Sequence, residues 1–513
     1  MKSKGKVYLV GAGPGDPGLI TVKGKECIEK ADVIIYDYLA SPALLGHAPD
    51  HIDMIYVGKK GGDHTLSQDG INALLVKKAR EGLVVTRLKG GDPFIFGRGG
   101  EEAEVLVEAG IPFEIVPGVT SAIAAPAYAG IPLTHRKFTA TLTLVTGHED
   151  PEKEASNIDW DAISKSGTLV FLMGVKNLPL IVKRLVGCGK PQDTPVALVR
   201  WGTTSNQQTV TGTLETIVDN VRKAQLKSPS IIVVGQVVSL RDTMQWFENK
   251  PLFGKRMIIT RARKQASDLV KQLSDLGAHC IEAPSIRVVD ASDPGPMDQA
   301  ILHLKDYDWI VFTSVNGVHH FFERLFALGH DVRRLHTIKT ACIGPATAQR
   351  LRDFGLNSDI IPESYQAESV VTAFQSEAMT GQRVLIPRAK EARPVLPIEL
   401  RNMGAHVDEV TAYETLEVTD KIDELIQQIR QGDIDVITFT SSSTAKNFAA
   451  LLPKGETNDI MKHVTVACIG PITAETAQEL GFHVGICAEN FTIPGLTQAI
   501  LDHYQKTGET EAM

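Results

Sequence analysis

The sequence predicts an α/β protein built from several folded units. Short, apolar, β-branched runs alternate with helical patterns along the whole chain, which is typical of buried strands joined by helices. The chain has 513 residues, too many for one hydrophobic core, so we expect about three or four compact units. The order of strand and helix signals also repeats within the C-terminal half, which predicts a duplicated α/β unit there.

The first 235 residues contain most of the clear strand signals. Most of these runs end in glycine or a polar residue, as expected where ligand loops leave the carboxyl ends of strands. The runs are KVYLVGAG, ADVIIYD, LVVTRL, FEIVPG, TLTLVTG, GTLVFLMG, TPVALVR and SIIVVG. The pattern then pauses in the polar stretch SLRDTMQWFENKPLFGKR, residues 239–256. We therefore predict a first domain at 1–242, a linker at 243–253 and a second domain at 254–513.

The second domain repeats itself at a separation of 126 or 127 residues. GKRMIITRAR at 254 matches GQRVLIPRAK at 381, FTS at 312 matches FTS at 439, and ACIGPATAQRL at 341 matches ACIGPITAETA at 467. Each copy is predicted to run strand, helix, strand, then the FTS strand, a helix, the CIGP strand and a helix. Such a duplication predicts two similar lobes with a ligand cleft between them.

Composition narrows the class of protein. A net charge of −8 argues against broad binding to nucleic acid or anionic membranes. No apolar run approaches the roughly 18 residues of a membrane-spanning helix, and the N-terminus lacks a cleavable signal. The six cysteines are scattered without metal-ligand spacing, which favours reduced core thiols and a cytosolic location.

The motif GAGPGDPG at 11–18 superficially indicates a dinucleotide-binding loop. A third glycine is required at position 16, where this chain has Asp16, and Pro14 and Pro17 prevent an immediate helix. A nicotinamide oxidoreductase is therefore a disfavoured alternative. Three segments rich in small residues, at 11–16, 87–102 and 116–136, instead suit close backbone approach to a compact adenosyl ligand, since no phosphate-loop lysine is present.

These segments carry a family resemblance. GAGPGD at 11, YDYL at 36, VGKK at 57, RLKGGDPFIFGRGGEE at 87, VPGVTSA at 116, LTHR at 133 and LVTGH at 144 resemble uroporphyrinogen-III C-methyltransferase of the tetrapyrrole methylase family. The resemblance covers residues 6 to about 240 and implies a two-lobed methylase fold that uses S-adenosylmethionine and no metal. It implies methylation of two pyrrole carbons of uroporphyrinogen III, giving precorrin-2.

The resemblance also implies site residues. The cofactor-binding residues would be Pro14, Gly90, Gly91, Asp92, Ile95, Thr120, Ser121, Met173 and Gly202. Asp37 and Lys59 match the family's proton acceptor and donor, against the alternatives of a strand-end cap and a surface charge. Without the family, Met173 would be interpreted as a core residue.

The substrate's carboxylates call for cations. Arg98 is the first candidate because its planar fork binds carboxylate bidentately, and His135 and Arg136 are weaker candidates. The alternative for Arg98 is an ion pair with Glu101 or Glu102 on the helix predicted to begin near Gly99.

Residues 254 to about 505 resemble uroporphyrinogen-III synthase, a family of two α/β lobes. The match rests on FTSVNGVHHF, CIGPATA, VTAYET and TFTSSSTAKNF. It implies cyclisation of hydroxymethylbilane with inversion of the last ring, a task of holding one conformation rather than of strong acid or base catalysis. We find no Ser/His/Asp triad, metal cluster or phosphate loop in this half of the sequence. The chain would cross twice between lobes at 254–288 plus 415–513 and 289–414, so repeat and lobe need not coincide.

Tyr413 in VTAYET matches the family's cleft tyrosine, an acid assisting loss of hydroxyl, or else it is a half-buried strand-end aromatic. Four hydroxyl residues, Thr313, Ser314, Thr440 and Ser441, are candidates for binding propionates, and each pair also precedes a helix that it would cap.

We therefore expect a bifunctional cytosolic enzyme of tetrapyrrole biosynthesis, a homodimer through its methyltransferase half, serving the siroheme or cobalamin branch. The main alternative is a methyltransferase fused to a noncatalytic bilobed binding or regulatory module.

Overall fold

The computed structural model describes residues 5–49, 52–58, 66–147, 157–260, 263–283, 286–362, 367–391, 394–417, 422–453 and 455–511. The chain divides into two compact units. One contains residues 1–257, 271–280 and 500–513, and the other contains residues 258–270 and 281–499. Strands and helices are numbered below in chain order. The described residues form four five-stranded sheets, and the α/β class predicted from the sequence is confirmed.

Sheet 1 is parallel throughout, in the order β3-β2-β4-β1-β5. Its strands are β1 Lys6–Gly11, β2 Val33–Tyr36, β3 Asp53–Tyr56, β4 Val84–Lys89 and β5 Phe113–Val116. Its helices are α1 Val22–Glu29, α2 Gln68–Arg80, α3 Gly99–Glu108 and α4 Ser121–Tyr128. Apolar clusters cover both faces of the sheet, as a parallel sheet requires. The loops that follow β1, β4 and β5 therefore leave from one edge.

Sheet 2 is mixed, in the order β6-β7-β10-β8-β9, with only β6 and β7 parallel. Its strands are β6 Leu142–Thr146, β7 Thr168–Leu172, β8 Pro195–Arg200, β9 Gln208–Thr213 and β10 Ser230–Val234. The helices that follow are α5 Trp160–Ser164, α6 Leu178–Gly187, α7 Ile217–Lys223 and α8 Arg241–Met244. Alanines of α4 pack on this sheet, so α4 joins the two halves of the methylase-like region.

The segment predicted as a linker packs closely on α4. Trp246 and Phe247 make edge contacts with Tyr128 at 4.9 and 4.8 Å between ring centroids. The indole nitrogen of Trp246 donates to the carbonyl of Ala127 at 3.0 Å. The predicted limits at 242 and 254 remain predictions, but residues 246–247 have a packing role.

Sheets 3 and 4 are assembled from both copies of the internal repeat. Sheet 3 has the order β12-β11-β18-β19-β20, and sheet 4 has the order β13-β17-β16-β14-β15. The strands of sheet 3 are β11 Arg256–Ile259, β12 His279–Glu282, β18 Val436–Phe439, β19 Thr465–Cys468 and β20 Val484–Cys487. Those of sheet 4 are β13 Ile286–Asp290, β14 Trp309–Phe312, β15 Lys339–Cys342, β16 Arg383–Ala389 and β17 His406–Glu417.

The repeat begins at β11 and again at β16, yet β11 lies beside β18 of the second copy, and β16 lies beside β14 of the first. Equivalent strands thus exchange between the sheets. The helices of this half are α9 Arg263–Asp275, α10 Gly295–Leu302, α11 Val315–Ala327, α12 Pro345–Asp353, α13 Ala367–Phe374, α14 Val395–Asn402, α15 Ile422–Arg430, α16 Ser442–Leu451, α17 Thr457–Ile460, α18 Pro471–Glu479 and α19 Ile493–Glu511.

Two strands were absent from the sequence prediction. Strands β3 and β9 are edge strands whose side chains are mostly half-buried or exposed, so they lack the apolar run that marked the others. The six cysteines, all within the described residues, form no disulfide. Among the described helices, none combines the length and the apolarity needed to cross a bilayer.

Candidate functional site

Three glycine loops meet at the carboxyl ends of β1, β4 and β5. Gly13 and Gly91 pair through two backbone hydrogen bonds, of 3.2 Å from Gly13 N and 2.7 Å from Gly91 N. A Cβ on Gly118 would lie 2.4 Å from the carbonyl oxygen of Gly91 and 2.7 Å from Cα of Gly11. Only residues without side chains allow this approach, and the result is a shallow cradle of backbone.

Asp92 braces the cradle through backbone amides. One carboxylate oxygen accepts from the amides of Phe94 and Ile95 at 2.8 and 3.1 Å, and the other accepts from Gly118 at 3.0 Å. Both oxygens are therefore engaged within the chain. The carboxylate fixes the spacing of two loops, and Gly90, next to the paired Gly91, packs against Leu39.

Apolar side chains surround the cradle without being buried. Ile95 is exposed beside exposed Phe94 and Phe96. Met173 follows β7 with a φ of +57° and is 51% exposed. The interpretation of Met173 as a core residue is therefore wrong, and its exposure agrees with the position that the family resemblance implies.

The first glycine motif is tied to the loop after β8. The amide of Asp16 donates to Oγ1 of Thr203 at 3.0 Å, and the hydroxyl of Tyr128 donates to the Asp16 carboxylate at 2.7 Å. Burial and this carboxylate raise the pKa of Tyr128. Pro14 is half-buried in the same turn.

Close packing continues at α4. A Cβ on Gly202 would lie 2.3 Å from that of Ala125, so the loop after β8 lies directly against the helix. Thr120 is the N-cap of α4 and accepts from the amide of Ala122, with Ser121 as the first helical residue. The predicted helix start is confirmed.

The region departs from a dinucleotide-binding loop in the way that the sequence predicted. Asp16 caps a short 3₁₀ turn, Pro17–Leu19, and α1 does not begin until Val22. The helix N-terminus that would hold a pyrophosphate is thus displaced from the glycines.

Asp37 follows β2, at the same edge of sheet 1. Its Oδ1 accepts from the amide of Leu39 at 3.1 Å, and its Oδ2 accepts from Nη2 of Arg87 at 3.2 Å. The side chain is 25% exposed, so it is anchored from within and still reaches the surface. Lys59 lies outside the described residues.

A buried charge network stands behind Asp37, and the sequence interpretation missed it. Glu102 is fully buried, and its Oε1 accepts from Nζ of Lys89 at 2.7 Å and from Nε of Arg87 at 3.3 Å. Burial, together with the charge of Arg87, lowers the pKa of Lys89. The available signal was two basic residues at alternate positions of a strand that was otherwise apolar.

The candidate substrate cations lie on the surface. Arg98 forms a bidentate ion pair with Glu101, with distances of 2.9 and 2.7 Å, which is the alternative that the sequence left open. Nδ1 of His135 accepts from the amide of Lys137 at 3.2 Å. Arg136 is exposed.

In sheet 4, Tyr413 lies on β17 among acid–base groups. Its hydroxyl lies 3.0 Å from Oγ of Ser314, and its ring stacks on that of His320 at 5.5 Å between centroids. Nδ1 of His320 is 2.8 Å from Oδ1 of Asp290. Tyr413 itself is buried.

The sequence interpretation found no clustered ligands in this half, and here the structure differs. Asp290, His320 and Glu323 offer ligand atoms that all lie within 4.8 Å of one another. These residues come from β13 and α11, separated by 30 positions or more, so spacing alone does not reveal the group.

The predicted hydroxyl turns are confirmed as helix caps. Ser314 is the N-cap of α11, and Ser441 is the N-cap of α16 in a capping box with Thr444. Thr313 and Thr440 precede them and are half-buried.

Comparison with known proteins follows the same division. A family model described as Tetrapyrrole (Corrin/Porphyrin) Methylases matches residues 6–218, and one described as Uroporphyrinogen-III synthase HemD matches residues 267–498. A protein of Ruminiclostridium josui named Porphyrin biosynthesis protein HemD is 39% identical over 499 residues, which is 97% of this chain and 98% of the relative.

Two further relatives cover the first half. The S-adenosyl-L-methionine-dependent uroporphyrinogen III methyltransferase of Methanosarcina barkeri is 54% identical over 47% of this chain and 94% of its own length. A crystal structure of uroporphyrin-III C-methyltransferase from Thermus thermophilus with S-adenosyl homocysteine is 38% identical, covers 46% of this chain and 99% of its own, and has a TM-score of 0.40.

The parallel sheet with its glycine cradle, followed by the strand-exchanged pair of sheets, defines a tetrapyrrole methylase fused to a uroporphyrinogen-III synthase. This chain belongs to the family of such fused porphyrin-biosynthesis proteins, because its resemblance to the R. josui protein runs through both parts.

Proposed function

We propose that the second half cyclises hydroxymethylbilane to uroporphyrinogen III, with inversion of the last ring, and that the first half methylates this product twice to give precorrin-2. The observation that carries the proposal is the similarity over 97% of the chain to one porphyrin-biosynthesis protein. The glycine cradle with half-exposed Met173 supplies the geometry for the methyltransferase.

S-adenosylmethionine is the proposed methyl donor, and the residues present fit it. The backbone around Gly11, Gly91 and Gly118 leaves no room for a Cβ, so the chain can approach a flat adenosyl group closely. Ile95 and Met173 offer exposed apolar surface beside it, and Thr120 starts α4 at its margin. Pro14, Gly90, Asp92, Ser121 and Gly202 complete the proposed cofactor set.

Asp37 is the proposed proton acceptor. Attack of a pyrrole carbon on the methyl group forms a C–C bond and breaks the C–S bond, with S-adenosylhomocysteine as the leaving group. The methylated ring then loses a proton, which an accessible carboxylate at the sheet edge can take. Lys59 is proposed as the donor, and Arg98, His135 and Arg136 as groups that receive substrate carboxylates, Arg98 after exchanging its partner Glu101.

The synthase half is proposed to work by holding the linear substrate. Ser314 and Ser441 stand at helix N-termini, where amides and hydroxyls suit propionates, with Thr313 and Thr440 beside them. Tyr413 is proposed to assist loss of the terminal hydroxyl by donating its phenolic proton to the departing oxygen. We further propose a cytosolic homodimer that serves the siroheme or cobalamin branch.

The test is to give purified protein hydroxymethylbilane anaerobically, with and without S-adenosylmethionine, and to identify products by mass and isomer. We expect uroporphyrinogen III without the donor and a dimethylated product with it. Formation of isomer I alone would mean spontaneous closure, and the second half would then be a noncatalytic binding module. Supplied uroporphyrinogen III that remains unmethylated would overturn the methyltransferase assignment.

A further inference from the structure

The charges on β4 are unusual for their place in the fold. Strand β4 lies in the middle of a parallel sheet, where both faces are covered and apolar residues are the rule. Arg87 and Lys89 are two positions apart, so their side chains leave the same face of the strand. Both are almost fully buried, and both reach Glu102, which α3 presents to them.

Stability alone does not account for this network. Each buried ion loses its hydration, and an apolar replacement of similar volume is often neutral or stabilising. The other oxygen of Glu102 is buried without a hydrogen-bonding partner among the described residues, so the carboxylate is not even fully satisfied. A buried arrangement that costs hydration and leaves an acceptor unused calls for another explanation.

The contacts of Arg87 indicate what that explanation is. Its Nε donates to Glu102, and its Nη1 donates to the carbonyl oxygen of Leu88 at 3.1 Å. Only Nη2 points away from this buried frame, and it donates to Asp37. Because a guanidinium is planar, fixing Nε and Nη1 also fixes the direction of Nη2.

We propose that Arg87, held by Glu102, is a positioning residue that keeps the carboxylate of Asp37 at the edge of sheet 1, ready to accept the proton released after each methyl transfer. The inference rests on the proposed role of Asp37. With the amide of Leu39 on one oxygen and Arg87 on the other, the carboxylate has one orientation. Arg87 itself neither donates nor accepts a proton in the reaction.

Lys89 supplies a matched control. It is buried, comes from the same strand and pairs with the same oxygen of Glu102, but among the described contacts its side chain has no hydrogen bond to Asp37. Arg87→Met and Lys89→Met each remove one buried cation and leave Glu102 with the other. Arg87→Lys keeps the charge but loses the fork.

The experiment measures kcat and KM for uroporphyrinogen III, affinity for S-adenosylhomocysteine by calorimetry, and the thermal midpoint of full-length protein. For Arg87→Met we expect kcat to fall by about 10- to 100-fold, since misplacement of a reacting group by about 1 Å has such an effect, with affinity for S-adenosylhomocysteine within about threefold. Arg87→Lys should recover only part of kcat. Lys89→Met should keep kcat within about threefold, because its loss leaves the frame of Arg87 intact.

A double-mutant cycle separates the two levels of inference. In an Asp37→Asn background, Arg87→Met should lower kcat little further, because its effect passes through the carboxylate. If Asp37→Asn alone retains full activity, the proposed role of Asp37 fails. If Asp37→Asn is inactive while Arg87→Met is active, or if Arg87→Met and Lys89→Met lower kcat equally, the positioning role is overturned.

Discussion

Substitution of Gly118 by alanine tests whether the close approach of three loops is required for cofactor binding. The added Cβ would lie 2.4 Å from the carbonyl oxygen of Gly91, whereas such contacts essentially never fall below 3.0 Å. The loops must therefore separate by at least about 0.6 Å, a local overpacking that typically costs about 1–3 kcal/mol of folding free energy. The bonds that pair Gly13 with Gly91, at 2.7 and 3.2 Å, adjoin the displaced carbonyl and would be distorted.

The assay combines urea unfolding with calorimetric titration of S-adenosylhomocysteine. If the cradle holds the cofactor, about 1.4 kcal/mol of lost complementarity gives a tenfold weaker Kd, and we expect at least that. Gly100→Ala is the control: nothing lies within 4 Å of its added Cβ on α3, and helix propensity predicts a gain of up to about 1 kcal/mol. Identical stability and affinity of the two variants would refute the steric reasoning.

Three further predictions concern protonation, capping and thiol reactivity. Burial lowers the pKa of Lys89 below its usual 10.5, so the unfolded chain keeps this proton to higher pH, and folding free energy becomes more favourable as pH rises from the folded pKa towards 10.5. Lys89→Met should remove this contribution, at most about 1.4 kcal/mol per pH unit, in urea unfolding followed from about pH 7 to about pH 10; an unchanged pH profile would contradict it. Ser441→Ala breaks the capping box with Thr444 and should cost about 1 kcal/mol of unfolding free energy; a loss below a few tenths would show that water replaces the cap. Burial raises the pKa of Cys468 to about 12, whereas Cys487 is exposed, so iodoacetamide should alkylate Cys487 first by mass spectrometry, and equal rates would argue against burial of Cys468.

The sequence predicted those parts of the fold that depend on local pattern. The apolar runs became the central strands, and the start of α3 and the caps Thr120, Ser314 and Ser441 are as expected, because each depends on neighbours in sequence. The edge strands β3 and β9 escaped because exposed side chains replace the apolar run.

What the sequence could not predict depends on distant residues meeting. Arg87 and Glu102 are 15 positions apart, and their pairing needs α3 to lie over β4. His320 and Tyr413 are 93 positions apart and stack only because α11 packs on sheet 4. For Arg98, the family resemblance favoured a substrate contact, and the structure shows the local pair with Glu101, since a bidentate partner three residues away on the same helix turn is close at hand.

The exchange of strands between sheets 3 and 4 also sets an order of events during synthesis. All strands of sheet 4 lie between Ile286 and Glu417, so this sheet can close as soon as that stretch has left the ribosome. Sheet 3 begins earlier, at β11, but waits for β18; Oγ1 of Thr260 bonds to the carbonyl of Thr438 across 178 positions. We therefore expect β11 and β12 to emerge early and stay unpaired with β18 while sheet 4 forms, which makes them the segment most exposed to misfolding before the chain is complete.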